Sequence, residues 1–129
     1  MLKAILIVGL GGAIGSIVRW ILSILLNSVL PSISLGTLVA NLTAGYLVGV
    51  FIAFFLAFPS VSPEWKLFFI TGCMGGLSTF STFSAEVALL LQQGRIYWTM
   101  AVIALHVIGS VSMTLAGFAT INISKLLFR

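Results

Sequence analysis

Apolar residues fill the chain in four long runs, near 4–26, 36–58, 67–91 and 97–121, with only brief polar interruptions between them. A helix needs about 20 residues, at 1.5 Å each, to cross hydrocarbon, so each run predicts a membrane-spanning helix. The connections NSVLPSIS at 27–34, PSVSPE at 59–64 and QQGR at 92–95 carry the Pro, Ser, Asn27 and Gly94 expected of turns. They leave no length for a domain outside the membrane, and the chain is expected to form a single four-helix transmembrane domain over 1–129. The first run follows Lys3, is too long for a signal-peptide core and lacks a clear small-residue cleavage site, so it is read as a retained span.

Composition agrees with this pattern. With 60% hydrophobic and 6% charged residues, the 129-residue chain has too little polar surface to cover a water-soluble domain. The formal charge of +4 comes from six scattered basic residues rather than a cluster, which argues against nucleic acid as a partner. A lone Cys73 allows no intrachain disulfide and reads as a packing residue. Four spans place Lys3, Lys66, Lys125 and Arg129 on one side, partly offset by Glu64, and Arg95 on the other, with Arg19 joining it if the side chain reaches that interface. So weak a bias could admit both orientations in the membrane.

Small residues and polar residues inside the runs carry the finer information. Gly11 with Gly15, Gly45 with Gly49, and Gly72 with Gly76 are spaced for close helix contacts, within one chain or between copies. GLGGAIG lacks the strand and acidic partner of a dinucleotide loop. In the second run Thr37, Asn41, Gly45 and Gly49 share one helix face, where Asn41 either bonds between helices or turns its amide to a cavity. In the fourth run His106, Ser110 and Thr114 form a similar polar track, open to the readings of packed side chains or of a path. No second His or spaced carboxylate makes a side-chain metal site.

The third run contains GCMGGLSTFSTFSA at 72–85. Gly72, Gly75 and Gly76 followed by Ser78 and Thr79 predict an interrupted helix, and a broken backbone at membrane depth must be buried in protein or line a cavity. There its carbonyls and amides could hold ions. Phe80 and Phe83 fall close to one face, a spacing whose default reading is core packing, but they are bracketed by the hydroxyls of Thr79, Ser81, Thr82 and Ser84, which favours a path. Phenyl rings have a positive edge, which can meet a small anion without the tight grip of a full cation. Only Glu64 and Glu86 are acidic, so the charges favour an anion path over a cation path. Arg19 could snorkel, pair with Glu86 or draw anions into a vestibule.

Taken together, GGAIGSIVRW at 11–20, GTLVANLTAGYLVG at 36–49 and GCMGGLSTFSTFSAE at 72–86 resemble the CrcB/Fluc family of prokaryotic fluoride channels over essentially the whole chain. Ser78 stands where that family more often has Thr. The resemblance implies an all-α integral membrane protein of the prokaryotic inner membrane, a passive fluoride exporter working as an antiparallel dual-topology homodimer with two pores. It implies that Phe80 and Phe83 present ring edges to fluoride and that Asn41 donates near the pore. Ser81 and Thr82 would hand the ion along, Ser110 and Thr114 with His106 would form the polar track, and Arg19 would stand at the vestibule. It also implies a structural sodium ion at the dimer interface, held by main-chain carbonyls of Gly75 and Ser78. Three rivals share parts of the pattern. A small four-span multidrug transporter needs an acid in its first span, where this chain has Arg19; a Ser–His membrane enzyme needs an orienting acid; an assembly subunit leaves the hydroxyl tracks idle.

Overall fold

The computed structural model describes residues 1–127, and Arg129, counted above in the charge balance, lies outside the described residues. All regular structure among the described residues is helical. Helix α1 spans Leu2–Leu26 and α2 spans Leu35–Ala57. The third span is assembled from pieces: α3 (Pro63–Lys66), a π-helical stretch (Leu67–Met74), α4 (Gly75–Leu77) and α5 (Phe80–Gln92). Helix α6 runs over Ile96–Leu127, six residues past the apolar run at 97–121, with Lys125 in its last turn where a cation suits the helix dipole. Each of the four spans is long and apolar enough to cross a membrane.

The ends of these helices follow local chemistry. Pro63 occupies the first turn of α3 after an extended Ser62, a position where its missing N–H costs nothing. Asn27 Oδ1 accepts from the Gly36 amide at 2.8 Å and ties the first connection to the start of α2. Past the end of α5, Gly94 takes a φ of 69°, while Arg95 N–H reaches the Leu90 carbonyl and Gly94 N–H the Leu91 carbonyl. This left-handed stop satisfies two otherwise open carbonyls and lets α6 begin at once.

Glycine and alanine set how the spans pack. Gly11 and Gly15 of α1 lie against Gly72, Cys73 and Leu77, and Gly76 lies against Gly12, while Gly45 and Gly49 of α2 meet Ser110, Thr114 and Gly117 of α6. All three spaced glycine pairs are thus used within the chain. One core cluster contains Ala40, Ala44, Cys73, Met74 and Leu77; a second, of Phe83, Leu90 and Val102, joins α5 to α6. In lipid there is no hydrophobic drive between helices, so such small residues, by permitting backbone contact, supply the packing energy. A methyl on Gly49 would overlap the Thr114 carbonyl oxygen, whereas nothing lies within 4 Å of a methyl on Gly9. Gly49→Ala is therefore expected to destabilise the detergent-solubilised protein by about 1–3 kcal/mol, the usual cost of overpacking, with Gly9→Ala as control. Equal thermal denaturation midpoints for the two variants would contradict this account of the α2–α6 contact.

Lys3 Nζ bonds Glu64 Oε1 at 2.8 Å, an exposed pair. Its importance is to topology, because it cancels one positive charge on the side that the sequence marks as more basic.

Candidate functional site

The third span is interrupted at Ser78 and Thr79, which are extended (φ −78°, ψ 151° and φ −148°, ψ 115°). The glycines before them stay helical: Gly75 has φ −63° and ψ −36°. The break therefore lies two residues beyond the glycines. Gly72 and Gly76 serve the close approach to α1, while a Cβ on Gly75 would meet nothing nearer than 4.0 Å.

Asn41, from the middle of α2, holds the break in place. Its Oδ1 accepts from the Thr79 N–H at 2.6 Å and its Nδ2 donates to the Thr79 carbonyl at 3.0 Å. The same Nδ2 lies 3.0 Å from His106 Nδ1 on α6. Both amide hydrogens are thus engaged between helices, and the side chain clamps the two peptide groups that flank Thr79, a residue that has left the helical ladder. Asn41 thus makes interhelical bonds and also lines the cleft described below, so features of both readings open for it in the sequence are present.

Diverting the Thr79 N–H has a consequence on the other side of the break. In an unbroken helix that group would bond the Gly75 carbonyl; here neither the Gly75 nor the Ser78 carbonyl has a backbone donor among the described residues. The intervening Gly76 carbonyl accepts from Arg19 Nε at 3.1 Å. Arg19 thus caps the end of α4, where a cation suits the dipole, rather than pairing with Glu86. Glu86 Oε1 instead accepts from the Ser34 amide, and its Oε2 is buried without a partner.

Downstream, α5 starts with Thr79 as its N-cap, the hydroxyl accepting from Thr82 N–H at 3.2 Å. That oxygen also lies 3.2 Å from Ser81 Oγ and donates to Thr82 Oγ1 at 3.1 Å. Sequence reasoning left Thr79 out of the site, although a hydroxyl directly before a helical run is the usual N-cap signal. The first amides of such a helix have no intrahelical acceptor and carry partial positive charge.

Beside the break is an open cleft of about 390 Å³ between α2, the start of α5 and α6. Asn41, Ser78, Thr79, Phe80, Phe83, His106, Ser110 and Thr114 line it. Phe80 and Phe83 meet edge to face, with centroids 5.2 Å apart and planes at 67°. Phe83 is buried and stacks on the His106 ring at 4.7 Å; Phe80 is 76% exposed. Thr114 Oγ1 lies 3.0 Å from both the Gly45 and Ser110 carbonyls, which share its single hydrogen and so join α6 to α2. Ser81 lies outside the cleft on the exposed side of α5, Thr82 lines a neighbouring cleft with Glu86, and Arg19 stands behind α4. The structure therefore gathers Asn41, Phe80, Phe83, His106, Ser110 and Thr114 into one wall, and sets Ser81, Thr82 and Arg19 around it.

Four spanning helices, a third one broken and stitched by an asparagine, and a cleft at the break that mixes apolar walls with hydroxyl, amide and imidazole groups define a multi-pass membrane protein. The chain belongs to the CrcB family: the family described as CrcB-like protein, Camphor Resistance (CrcB), matches residues 6–118. It is similar to the fluoride-specific ion channel FluC of Pseudomonas putida (strain W619), 58% identical over 120 residues, covering 93% of this chain and 94% of the relative. The protein of the same name from Nitrosomonas europaea is 58% identical over 122 residues, covering 95% and 96%. That of Paraburkholderia phymatum is 53% identical over 123 residues, covering 95% and 98%. These relatives are bacterial and bear the name of a channel, not of an enzyme.

Proposed function

We propose that this protein is a passive, fluoride-selective channel of the bacterial inner membrane, exporting fluoride and so protecting the cell. The cleft carries this reading. Its wall offers phenyl edges, hydroxyls and a helix start, with neither carboxylate nor full cation lining it. Neutral, partly positive groups can replace the water around a small anion and still release it. A multidrug or cation carrier would need an acid in this cleft; of the two acids, Glu64 sits at the outer end of the third span, paired with Lys3, and Glu86 lines the neighbouring cleft with Thr82.

The working unit in this proposal is an antiparallel, dual-topology homodimer. Gly75, Ser78, Phe80, Ser81 and Ser84 are all exposed near the break, and hydroxyls and open carbonyls left against lipid would be costly. A second copy covering this side would enclose them and close the cleft into a pore. The Lys3–Glu64 pair supports dual topology by leaving less charge bias for the insertion machinery to read.

A structural sodium ion fits the same surface. Gly75 and Ser78 present carbonyls without backbone donors on exposed residues, so two copies would supply four hard oxygen ligands. Bound there, the ion would neutralise the partial negative charge of two half-helix ends. Arg19 contributes by occupying the Gly76 carbonyl, which leaves the flanking carbonyls as the open ones.

Reconstitution into liposomes under a fluoride gradient tests the function directly, with efflux read by a fluoride electrode and chloride run in parallel. Fluoride release with no chloride release is the expected outcome. Equal permeation of the two ions, or no flux, would sink the reading.

A further inference from the structure

The clamp at Thr79 determines more than the path of the backbone. A peptide N–H can only donate and a peptide carbonyl can only accept. The two bonds to Thr79 therefore fix which end of the Asn41 amide is oxygen and which is nitrogen. One Nδ2 hydrogen goes to the Thr79 carbonyl, leaving the other to point at His106 Nδ1, 3.0 Å away. A ring nitrogen facing an N–H must carry a lone pair. A neutral imidazole with a lone pair on Nδ1 carries its proton on Nε2.

His106 is 6% exposed, stacked on Phe83 and part of the cleft wall. Its Nε2 has no hydrogen-bond partner among the described residues, yet it is not among the sealed atoms, where Glu86 Oε2 stands alone. A donor that is unpaired among the described residues but still accessible is available to a ligand. We propose that Asn41 is a positioning residue that locks His106 as its Nε2–H tautomer, so that His106 presents a neutral donor to the anion in the cleft beside Phe83. This rests on the anion-channel reading for the identity of the ligand, while the tautomer itself follows from the bonds alone. The lock also disfavours the imidazolium, which would turn an N–H toward the Asn41 amide hydrogen. The wall is thereby kept free of a full positive charge that would trap the ion.

The chain contains one histidine, so 15N-histidine labelling yields a single pair of imidazole signals. In the wild-type protein in lipid at neutral pH without fluoride, Nδ1 is expected to resonate as an unprotonated ring nitrogen and Nε2 as a protonated one. Adding sodium fluoride should shift the Nε2 signal, and sodium chloride should leave it in place. A protonated Nδ1, or an Nε2 signal indifferent to fluoride in protein that conducts fluoride, would overturn the proposal. In liposomes, His106→Gln keeps an acceptor and a donor and should conduct within about threefold of the native rate, while His106→Leu should fall by more than about tenfold. Equal rates for the two would count against the donor. Failure of the wild-type protein to conduct at all would instead reject the channel reading, leaving the tautomer measurement to stand or fall on its own.

Discussion

Asn41→Asp is expected to lower fluoride efflux by at least about a hundredfold, a barrier change of roughly 2.7 kcal/mol. The substitution keeps the oxygen that accepts from Thr79 N–H and replaces the nitrogen that donates to the Thr79 carbonyl and faces His106. A carboxylate oxygen would then confront two acceptors at about 3 Å, and breaking a buried charged or polar arrangement in this way costs on the order of 3 kcal/mol. The effect falls on the backbone of the break, on the histidine and on the ion, which would meet a negative charge in the cleft wall. Efflux by fluoride electrode, with size-exclusion chromatography to confirm an assembled protein, measures it. Native flux would detach the clamp from conduction.

Phe83→Ile should be nearly as severe, with flux reduced by more than about tenfold, or 1.4 kcal/mol. Isoleucine retains apolar bulk against Leu90 and Val102 in the α5–α6 cluster, so the fold is expected to survive. What is lost is the ring: its edge, its stacking on His106 at 4.7 Å and its edge-to-face contact with Phe80 at 5.2 Å. Phe80→Ile, at a position 76% exposed in the chain, perturbs the internal packing less. A comparable flux loss there would show that the rings act on the ion rather than on the core. Retention of native flux in both variants would return the pair to a packing role.

Much of this architecture could be read from residue order. Long apolar runs are dictated by the thickness of the bilayer, and the four spans lie within a few residues of their expected bounds except where α6 continues to Leu127. The break was legible too, because glycines and hydroxyls together oppose a helix. Its exact place was not: glycine remains helical when neighbouring backbone supports it, so the turn out of the helix occurs where Asn41 offers a competing partner to Thr79. That partner lies 38 residues away, and spacing on one helix face does not reveal which peptide on another helix its amide will meet. Arg19 illustrates the same limit. Its position inside a span was clear, whereas its bond to Gly76 depends on how deeply the glycines of α1 let the two backbones approach. The polar track of His106, Ser110 and Thr114 was visible as a period of four, and the structure turns it toward α2 and the cleft.

The diverted amide of Thr79 has a last consequence. One hydrogen bond moved from Gly75 to Asn41 leaves an open carbonyl on one side of the break and a clamped main chain on the other. The two features are therefore a single heritable unit. A different residue at 41 would release the Thr79 amide, and a continuous third helix would take up the Gly75 carbonyl. A substitution at either end of this bond therefore acts on both sides of the break at once.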